Sequence, residues 1–242
     1  MNLIKLGAIS STNVYMKQLL NEQYVENFTV VTAENQTNGK GQMGAVWHTE
    51  EGKNLTFTVL VKDLLLNIEE IFNLNAAVSV SIIEGLEKYN IPALSIKWPN
   101  DILSGNKKIG GILIENMIKN NGEIFSVIGI GLNVNQRNFE GLEKASSLSI
   151  IMGEYFEKDI LLNRIIEKLK RNIARLLSND RQVLWLKYQS MLYKKGIPMP
   201  FDKNNQKFMG IIQGVTKSGK LEVLLEDDTI AEYEIKEVKL LY

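Results

Sequence analysis

The hydrophobic pattern near the start of the chain predicts one helix and then two strands on either side of a polar loop. Residues 10–13, Ser-Ser-Thr-Asn, offer capping oxygens just before a run whose apolar residues recur at helical spacing. Residues 28–33 and 55–61 are rich in β-branched side chains, which favour strands. We therefore expect a capped helix to open the fold, and the glycine loop, residues 39–44, to join the two strands.

The rest of the chain alternates between helical and strand patterns. Apolar residues recur at helical spacing over residues 68–89, which predicts a long helix packed on a sheet. Strand patterns follow over residues 94–98, 102–103, 107–115 and 125–133, with turns at 104–106 and 120–122. Residues 158–193 return to a helical period interrupted near Asn179, which predicts two helices. From Lys195 onward, short β-type runs and turns indicate a small all-β barrel of about fifty residues.

Composition and charge exclude several classes of protein. Apolar residues make up 45% and charged residues 23% of the 242, which is typical of a globular protein with a large core. The 28 basic and 28 acidic residues cancel, so no global field draws the chain to nucleic acid or to an anionic membrane. With no cysteine and one histidine, a disulfide, a thiolate site and a metal cage built from several Cys or His side chains are excluded.

The apolar runs of the chain also bear on its location. The first residues lack the apolar core and cleavage site of a signal peptide. Lys, Glu or Asn interrupts every apolar run before it reaches the length of a membrane span. We therefore expect a cytoplasmic protein with no membrane partner.

The glycine loop is the first candidate for chemistry. Gly39-x-Gly41-x-x-Gly44 spells the dinucleotide-binding pattern, but that pattern requires a helix immediately afterwards, and here a strand follows. On spacing alone, a plain hairpin loop remains an alternative. Lys40 and Trp47 add a cation and a flat ring to the backbone N–H groups of the loop, which together suit an anion attached to a ring system.

Two further motifs carry polar groups at the ends of strands. Pro99-Asn100-Asp101 is a good turn, but the amide could also read an adenine edge while the carboxylate holds Mg²⁺ on ATP phosphates. Lys107 and Lys108 could be an ordinary solvated pair. However, one of the two must point to each face of its strand, and the inward lysine could contact phosphate or carboxylate groups.

The last motif is Gly129-x-Gly131-x-Asn133. It could be a buried strand with a bulge, in which the glycines let another group approach closely. Alternatively, Asn133 at its end could contact a base or a ribose. His48 is expected to be a surface loop residue.

Taken together, these motifs resemble those of the biotin protein ligase family. The matching segments occur in the order and approximate spacing of that family: Ser11-Thr12-Asn13, residues 36–47, Gly52-Lys53-Asn54-Leu55, Lys97-Trp98-Pro99-Asn100-Asp101, residues 108–115 and Gly129-x-Gly131-x-Asn133. The resemblance implies an α+β fold, with a catalytic domain over residues 1–192 and a C-terminal SH3-like barrel over residues 193–242. The catalytic domain would be a mixed β-sheet with packed helices, as in class II aminoacyl-tRNA synthetases and lipoate ligases.

The resemblance also implies a two-step reaction and a set of site residues. Biotin would attack the α-phosphorus of Mg-ATP to give biotinyl-5′-AMP, and a lysine of a biotin carboxyl carrier domain would then take the biotinyl group. The catalytic residues implied are Lys40, Asp101 and Lys108, with Asp101 near Mg²⁺. The biotin-binding residues implied are Ser11, Thr12, Asn13, Gln36, Gly39, Lys40, Gly41, Gln42, Lys108 and Gly110. Those implied around ATP or the adenylate are Gln42, Trp47, Asn100, Asp101, Lys108 and Asn133.

The chain departs from this family in the glycine loop, where many members place arginines at the positions of Lys40, Gln42 and Ala45. Because Gln and Ala cannot reproduce the bidentate grip of arginine on phosphate, we expect looser retention of the adenylate. The chain begins almost with the catalytic domain, so we expect no specific DNA binding. The sequence does not reveal the oligomeric state, but an exposed sheet edge of the catalytic domain could pair with a second copy or with the carrier protein.

Two alternatives remain open. One is a lipoate or octanoate ligase of the same fold, but the Lys-Trp-Pro-Asn-Asp run, Gln36 and the C-terminal barrel favour biotin. The other is a binding module for biotin or a nucleotide that has lost catalysis, which is disfavoured because both Asp101 and Lys108 are retained.

Overall fold

The computed structural model describes residues 2–62, 71–118, 123–178 and 180–242. It forms two sheets. The larger sheet contains β1 (Leu3–Ile9), β2 (Val30–Gln36), β3 (Leu55–Val61), β4 (Leu94–Lys97), β5 (Asp101–Ser104), β6 (Lys107–Ile118) and β7 (Ile124–Leu132), in the order β1-β2-β3-β7-β6-β5-β4. The pairing of β1 with β2 is parallel and the other pairings are antiparallel. The sheet is therefore mixed, as predicted.

The start of the chain differs from the prediction. A strand, β1, opens the fold, and α1 (Thr12–Glu22) follows it. Ser11 occupies the N-cap position, but its side chain makes no capping hydrogen bond. The prediction of an opening helix was wrong because the apolar residues of β1, a partly exposed edge strand, neither alternate strictly with polar ones nor form an unbroken run.

The helices lie against the two faces of this sheet. Met16 and Leu20 of α1 pack with Val31, Leu60 and Val127 in a small apolar cluster. The main core holds α2 (Phe72–Leu86), α4 (Lys158–Leu176) and α5 (Arg181–Ser190), whereas α3 (Leu148–Met152) is one short turn that the sequence did not predict. The helical prediction for residues 68–89 is confirmed from Phe72 onward, and a 3₁₀ turn at Glu87–Tyr89 ends it. Its start at Ile68, the turn at residues 120–122 and the break at Asn179 lie outside the described residues.

A buried carboxylate ties these three helices together. Glu84 of α2 is 3% exposed and accepts hydrogen bonds from Arg171 and Asn172 of α4 and from Lys187 of α5, at 2.6, 3.0 and 2.7 Å. Burial alone would raise the pKa of Glu84, but these donors outweigh it and leave the pKa below its usual value. Glu84 is therefore ionised in the folded protein at neutral pH.

The C-terminal residues form the second sheet, as the short β-type runs and turns from Lys195 onward predicted. It contains β8 (Pro198–Lys203), β9 (Gln206–Val215), β10 (Leu221–Leu224), β11 (Ile230–Tyr233) and β12 (Lys239–Leu240), in the antiparallel order β11-β10-β9-β8-β12. The indole N–H of Trp98 donates to the carbonyl of Gly219 at 2.8 Å, and buried residues of both sheets belong to one apolar cluster. This sheet is thus docked on the larger one. The division at residue 193 and the SH3-like character remain predictions.

No helix within the described ranges is both long enough and apolar enough to cross a bilayer.

Candidate active site

One row of residues across the larger sheet forms the floor of the candidate site. Cross-strand pairing aligns Thr56, Gly131, Gly111, Asp101 and Lys97, from β3 through β7, β6 and β5 to β4. Residues directly opposite one another share a face of the sheet. The row therefore has a charged end at Asp101 and Lys97 and a flat, side-chain-free centre at the two glycines.

The indole of Trp47 lies on this flat centre. A Cβ atom built on Gly131 would lie 2.4 Å from Cε2 of Trp47, and one built on Gly111 would lie 3.2 Å from its Cζ3. The glycines of β6 and β7 thus make room for an aromatic side chain of the same protein, as the Gly-x-Gly pattern predicted in general terms. Nε1 of Trp47 is buried and has no hydrogen-bond partner within the described part of the chain.

A β-bulge in β6 determines which of its side chains face the site. Asp101 pairs with Gly111 and Ile102 with Gly110, but Leu103 pairs with Lys108, so Ile109 has no opposite residue. An extra residue in one strand shifts the alternation of side chains by one position. Lys108 and Gly111 consequently lie on the same face, with Nζ of Lys108 3.5 Å from a Cβ built on Gly111, while Ile109 is buried in the core.

The two adjacent lysines point to different places, as the strand alternation predicted. Nζ of Lys108 lies 2.6 Å from Oδ1 of Asp101 and 5.4 Å from the centre of the Trp47 ring. Lys107 instead donates to the backbone carbonyl of Glu143. Lys108 is therefore the lysine that faces the site.

Positive charge exceeds negative charge around Asp101. Nζ of Lys97 lies 3.6 Å from Oδ2 of Asp101, and Nζ of Lys108 contacts the other oxygen, Oδ1. Burial lowers the pKa of Lys97, and although Asp101 opposes this effect, repulsion from Lys108 and Lys144 adds to it. The ring of Tyr242 packs near Lys97 and Lys144, and burial together with the charge of Asp101 raises its pKa to about 12. One carboxylate thus faces several lysines, and such a cluster suits a polyanionic ligand.

A second group of polar side chains lies two residues earlier on β7, at Gly129. Gly129 pairs with Thr58 of β3 and with Leu113 of β6, and a Cβ on Gly129 would lie 2.6 Å from Oδ1 of Asn13. The Thr58 hydroxyl contacts that oxygen at 2.6 Å and the hydroxyl of Thr12 at 2.8 Å. All three side chains are buried.

Gln36 joins this polar group from the end of β2. Its Oε1 accepts from the backbone N–H of Thr12 at 2.8 Å and from the hydroxyl of Thr12 at 3.1 Å. With Oε1 held in this way, Nε2 is the atom that Gln36 offers to a ligand. This end of the site therefore carries neutral donors and acceptors, whereas the Asp101 end carries charge.

The glycine loop closes on itself as a small hairpin. Trp47 donates its N–H to the carbonyl of Gly39 at 2.9 Å, Lys40 bridges to Val46, and Gly41 donates to the carbonyl of Ala45 at 2.7 Å. At its tip, Met43 and Gly44 have positive φ angles of 55° and 81°, a conformation that glycine adopts readily. The loop holds Lys40 and Gln42 at the rim of the site, and strand β3 follows it, as expected.

The turn after β4 is held by side-chain hydrogen bonds. Asn100 donates Nδ2 to the carbonyl of Ile112 at 2.7 Å and accepts the N–H of Ile112 on its own backbone carbonyl at 3.0 Å. Asn75 of α2 donates to the carbonyl of Pro99 at 2.6 Å, and the Trp98–Pro99 peptide bond is cis. One N–H of Nδ2 is used in this bond, so Asn100 can contact a ligand through Oδ1 or through the second N–H of Nδ2.

These features surround one cavity of about 550 Å³. Eleven of the residues singled out in the sequence line it: Ser11, Thr12, Asn13, Gln36, Lys40, Gly41, Gln42, Trp47, Asn100, Asp101 and Lys108. The volume falls within the usual range of small-molecule sites, about 300–1,000 Å³. The structure thus brings together residues that are up to 97 positions apart in the chain.

Three other predicted residues lie outside the cavity wall. Gly39 packs beneath the backbone of Trp47, where a Cβ would lie 2.4 Å from the Trp47 carbonyl oxygen. The bulge turns Gly110 toward Ile102 and Leu132, so Gly111 takes its place in the wall. Asn133 is buried and donates Nδ2 to the carbonyl of Ser146 at 3.0 Å.

Asn133 nevertheless supports the site indirectly. The backbone N–H of Asn133 donates to the carbonyl of Ile109 at 2.7 Å. The segment around Ser146, which the Asn133 side chain holds, makes two backbone hydrogen bonds to Lys108. The N–H of Lys108 donates to the carbonyl of Lys144 at 2.7 Å, and the N–H of Ser146 donates to the carbonyl of Lys108 at 3.0 Å. Asn133 therefore fixes the backbone at Lys108 and does not itself line the cavity. His48 is exposed, as predicted.

One wall of the cavity was missed in the sequence. The second sheet and its connections contribute Ile212, Leu221, Ile235, Lys236, Val238, Lys239 and Leu240. Lys236 also donates to the carbonyl of Met43 at 2.9 Å, so this sheet contacts the glycine loop directly. No local motif signals these residues, because their role depends on how the second sheet docks.

Among the described residues, no cluster of three or more His, Asp or Glu side chains could cage a metal ion. Asp101 is the carboxylate that lines the cavity. Mg²⁺ is commonly bound through one or two carboxylates together with the phosphates of a nucleotide. The donor set fits a metal ion that arrives with phosphates and does not fit a metal held by the protein alone.

Comparison with known proteins places this geometry in a family. A profile of the Biotin/lipoate A/B protein ligase family matches residues 6–135. The bifunctional ligase/repressor BirA of Bacillus spizizenii is 31% identical over 225 residues, which cover 91% of this chain and 68% of that protein. The biotin–[acetyl-CoA-carboxylase] ligase of Mycobacterium tuberculosis is 26% identical over 157 residues, covering 64% of this chain and 57% of that protein.

A solved structure extends the similarity over the second sheet. The biotin protein ligase from Aquifex aeolicus in complex with biotin and ATP superposes with a TM-score of 0.80 at 28% identity, covering 99% of this chain and 98% of that one. The profile match spans more than half of the chain, and the resemblance found in the motifs is confirmed. The chain belongs to the biotin/lipoate A/B protein ligase family.

Proposed function

We propose that the chain is a biotin protein ligase that activates biotin with Mg-ATP to biotinyl-5′-AMP and transfers the biotinyl group to a lysine of a biotin carboxyl carrier domain. The observation that carries this proposal is one cavity with a neutral polar end at Thr12 and Gln36 and a cationic end at Lys97 and Lys108, with Trp47 between them. Similarity to a ligase that binds biotin and ATP supports it.

The neutral end suits the ureido ring of biotin. That ring carries one carbonyl acceptor and two N–H donors, and this end offers Nε2 of Gln36 together with the hydroxyls of Ser11 and Thr12. Ser11 and Thr12 are almost fully buried, so their hydrogen bonds to a ligand would be shielded from water. The groups that hydrogen-bond to Thr12 are uncharged, which favours a neutral ring.

The cationic end suits the reacting groups. In the first step, an oxygen of the biotin carboxylate forms a bond to the α-phosphorus, and the bond from that phosphorus to the bridging oxygen breaks as pyrophosphate leaves. Carboxylate and triphosphate repel each other, so the step requires cations placed in advance. A cation about 4 Å from an anion contributes roughly 4 kcal/mol at an effective dielectric constant near 20, which is worth up to about three decades of rate. We assign this role to Lys108, with Lys40 at the rim.

Asp101 would hold Mg²⁺ carried by the triphosphate, and Mg²⁺ would offset phosphate charge there. Trp47 would lie against the adenine or the adenylate, with Oδ1 of Asn100 nearby. In the second step, the amine of a carrier lysine attacks the biotinyl carbonyl carbon, and AMP leaves with the bonding electrons. The proton released from the amine passes to solvent or to a phosphate oxygen.

The carrier domain is the partner that this reaction requires. Edge strand β1 is a candidate surface for it, because several of its residues are exposed, whereas β4 at the other edge is bridged to Leu192. A second copy of the chain could use the same edge. We propose no sequence-specific DNA binding and a cytoplasmic location, in keeping with the balanced charge of the chain.

Pyrophosphate exchange into ATP tests the proposal, with biotin, lipoate or no acid added. Biotin-dependent exchange is expected, followed by biotinylation of a carrier domain in the presence of ATP. Exchange that depends on lipoate would identify a lipoate ligase. Absence of exchange with either acid, in a preparation that is folded and binds ATP, would leave only a binding module.

A further inference from the structure

A carboxylate outside the cavity wall is hydrogen-bonded to the polar group at the neutral end. Glu115 on β6 accepts Nδ2 of Asn13 at 2.9 Å and Nζ of Lys17 at 2.8 Å. From Asn13 the contacts continue through Thr58 and Thr12 to Oε1 of Gln36. A line of hydrogen bonds therefore runs from an ionised group to the amide that faces the cavity.

The chemistry of each group determines which atom donates and which accepts along this line of hydrogen bonds. A carboxylate can only accept hydrogen bonds, so Asn13 must turn its NH₂ group toward Glu115. Its Oδ1 then faces Thr58, whose single hydroxyl proton is shared between Oδ1 of Asn13 and the hydroxyl of Thr12. Thr12 in turn donates to Oε1 of Gln36. The amide of Asn13 is thus held in one of its two orientations by Glu115, with a longer contact of 3.4 Å to the carbonyl of Leu113, whereas the backbone N–H of Thr12 sets the orientation of Gln36.

The charge of Glu115 is well supported at neutral pH. Burial alone would raise its pKa, but the hydrogen bonds from Lys17 and Asn13 outweigh burial and hold the pKa below its usual value. Removing Lys17 would leave the bond to Asn13 in place. The orientation of Asn13 therefore depends on Glu115 itself and not on the Lys17–Glu115 ion pair.

We propose that Glu115 is a positioning residue for biotin, which acts through Asn13 and Thr58 to fix the hydroxyl of Thr12 beside Gln36, whose own orientation the backbone N–H of Thr12 sets. This inference rests on the proposed function, and it assigns a role to a side chain that does not touch the ligand. In Glu115→Gln, an amide replaces the carboxylate and can either donate or accept. Asn13 then loses the charged acceptor of its NH₂ group and keeps only the longer contact with the carbonyl of Leu113.

Steady-state kinetics of biotin-dependent pyrophosphate exchange test this role. Glu115→Gln is expected to raise the KM for biotin about tenfold, the effect of about one charge-assisted hydrogen bond, with the KM for ATP within twofold of the wild type. Thr58→Val, which removes the hydroxyl with little change of shape, is expected to do the same. Lys17→Met is the matched control and should leave the KM for biotin within twofold.

The two variants also separate this inference from a general loss of structure. A merely structural role would lower the melting temperature and the amount of active enzyme without changing the KM for biotin selectively. An unchanged KM for biotin in both folded variants, or equal changes for biotin and ATP, would overturn the inference. If the wild type exchanges pyrophosphate with lipoate and not with biotin, the proposed function fails instead.

Discussion

Substitution of two glycines on one face of β7 should change the KM values for the two substrates separately. Gly131 lies under the indole of Trp47 and Gly129 lies under the amide of Asn13. Neither has a positive φ angle, so alanine fits the backbone at both positions. Gly131→Ala should therefore raise the KM for ATP, and Gly129→Ala should raise the KM for biotin.

The magnitude follows from the distances. A Cβ at position 131 would lie 2.4–2.7 Å from three atoms of the indole, whereas non-bonded carbon atoms settle about 3.5–4.0 Å apart, so Trp47 must move by about 1 Å. Misplaced stacking costs about 0.5–1.5 kcal/mol, and a lost contact with the Lys108 cation costs about 0.5–1 kcal/mol more. Together these losses predict a rise in the KM for ATP of about 5- to 70-fold.

At position 129 the new methyl group would lie 2.6 Å from Oδ1 of Asn13, so the amide must turn or shift. The loss of about one hydrogen bond in the line to Gln36 predicts a rise in the KM for biotin of about 5- to 10-fold. The two changes are only two residues apart, about 7 Å along the strand. Their opposite substrate preferences would show that the two ends of the cavity act separately.

Pyrophosphate exchange with each substrate varied in turn measures both constants. Gly7→Ala is the matched control, because a Cβ at this strand glycine would meet no atom within 4 Å. It should leave both constants unchanged. If Gly131→Ala raised the KM for biotin and not that for ATP, or if both variants behaved like Gly7→Ala, the assignment of the two ends would be wrong.

Four further predictions follow from single contacts. Lys108→Ala should lower the rate of adenylate formation by up to about three decades, whereas Lys107→Ala should change it less than about threefold; equal effects would remove Lys108 from its role. The adenylate should dissociate faster than from relatives with an arginine-rich glycine loop, and equal dissociation rates would contradict this. Lys236→Met should speed adenylate dissociation about fivefold by releasing the loop, with Lys207→Met as an unaffected control. Because the pKa of Glu84 is lowered on folding, its contribution is present above the unfolded value of 4.5 and lost as the pH falls through the folded pKa. Urea unfolding should therefore show Glu84→Gln to be less stable than the wild type by about 2 kcal/mol at pH 7 and by less at pH 3, and a pH-independent gap would refute this.

The parts of the fold that the sequence predicted have short-range signatures. β3 is buried along its whole length and appears as an uninterrupted β-rich run, and α4 places its apolar residues on one stripe. The site residues of the neutral end were found because they belong to compact motifs. β1 was missed because its apolar residues neither alternate strictly with polar ones nor form an unbroken run, so residues 3–9 match neither strand template.

The remaining errors depend on contacts between distant segments. Gly110 and Gly111 are chemically identical, and only the bulge opposite Leu103 determines which of them faces the cavity. Asn133 ends a strand that points toward the site, but the carbonyl of Ser146 captures its amide. The wall formed by the second sheet depends on a docking geometry in which Trp98 reaches Gly219. No local pattern encodes these pairings.

The ion pair between Asp101 and Lys108 explains how a neutral chain can hold a polyanion. Without a ligand, Asp101 keeps Nζ of Lys108 within 2.6 Å and offsets part of its charge, which limits the repulsion between Lys108 and Lys97. Under the proposed function, phosphates would compete with Asp101 for the same lysine, and Asp101 could then hold a cation that they carry. Lys108 would already lie in the cavity before the nucleotide binds, so little rearrangement of charge would be required during the reaction. Because the excess charge is confined to the cavity, nucleotide binding should depend on ionic strength far less than binding to a broad basic surface would.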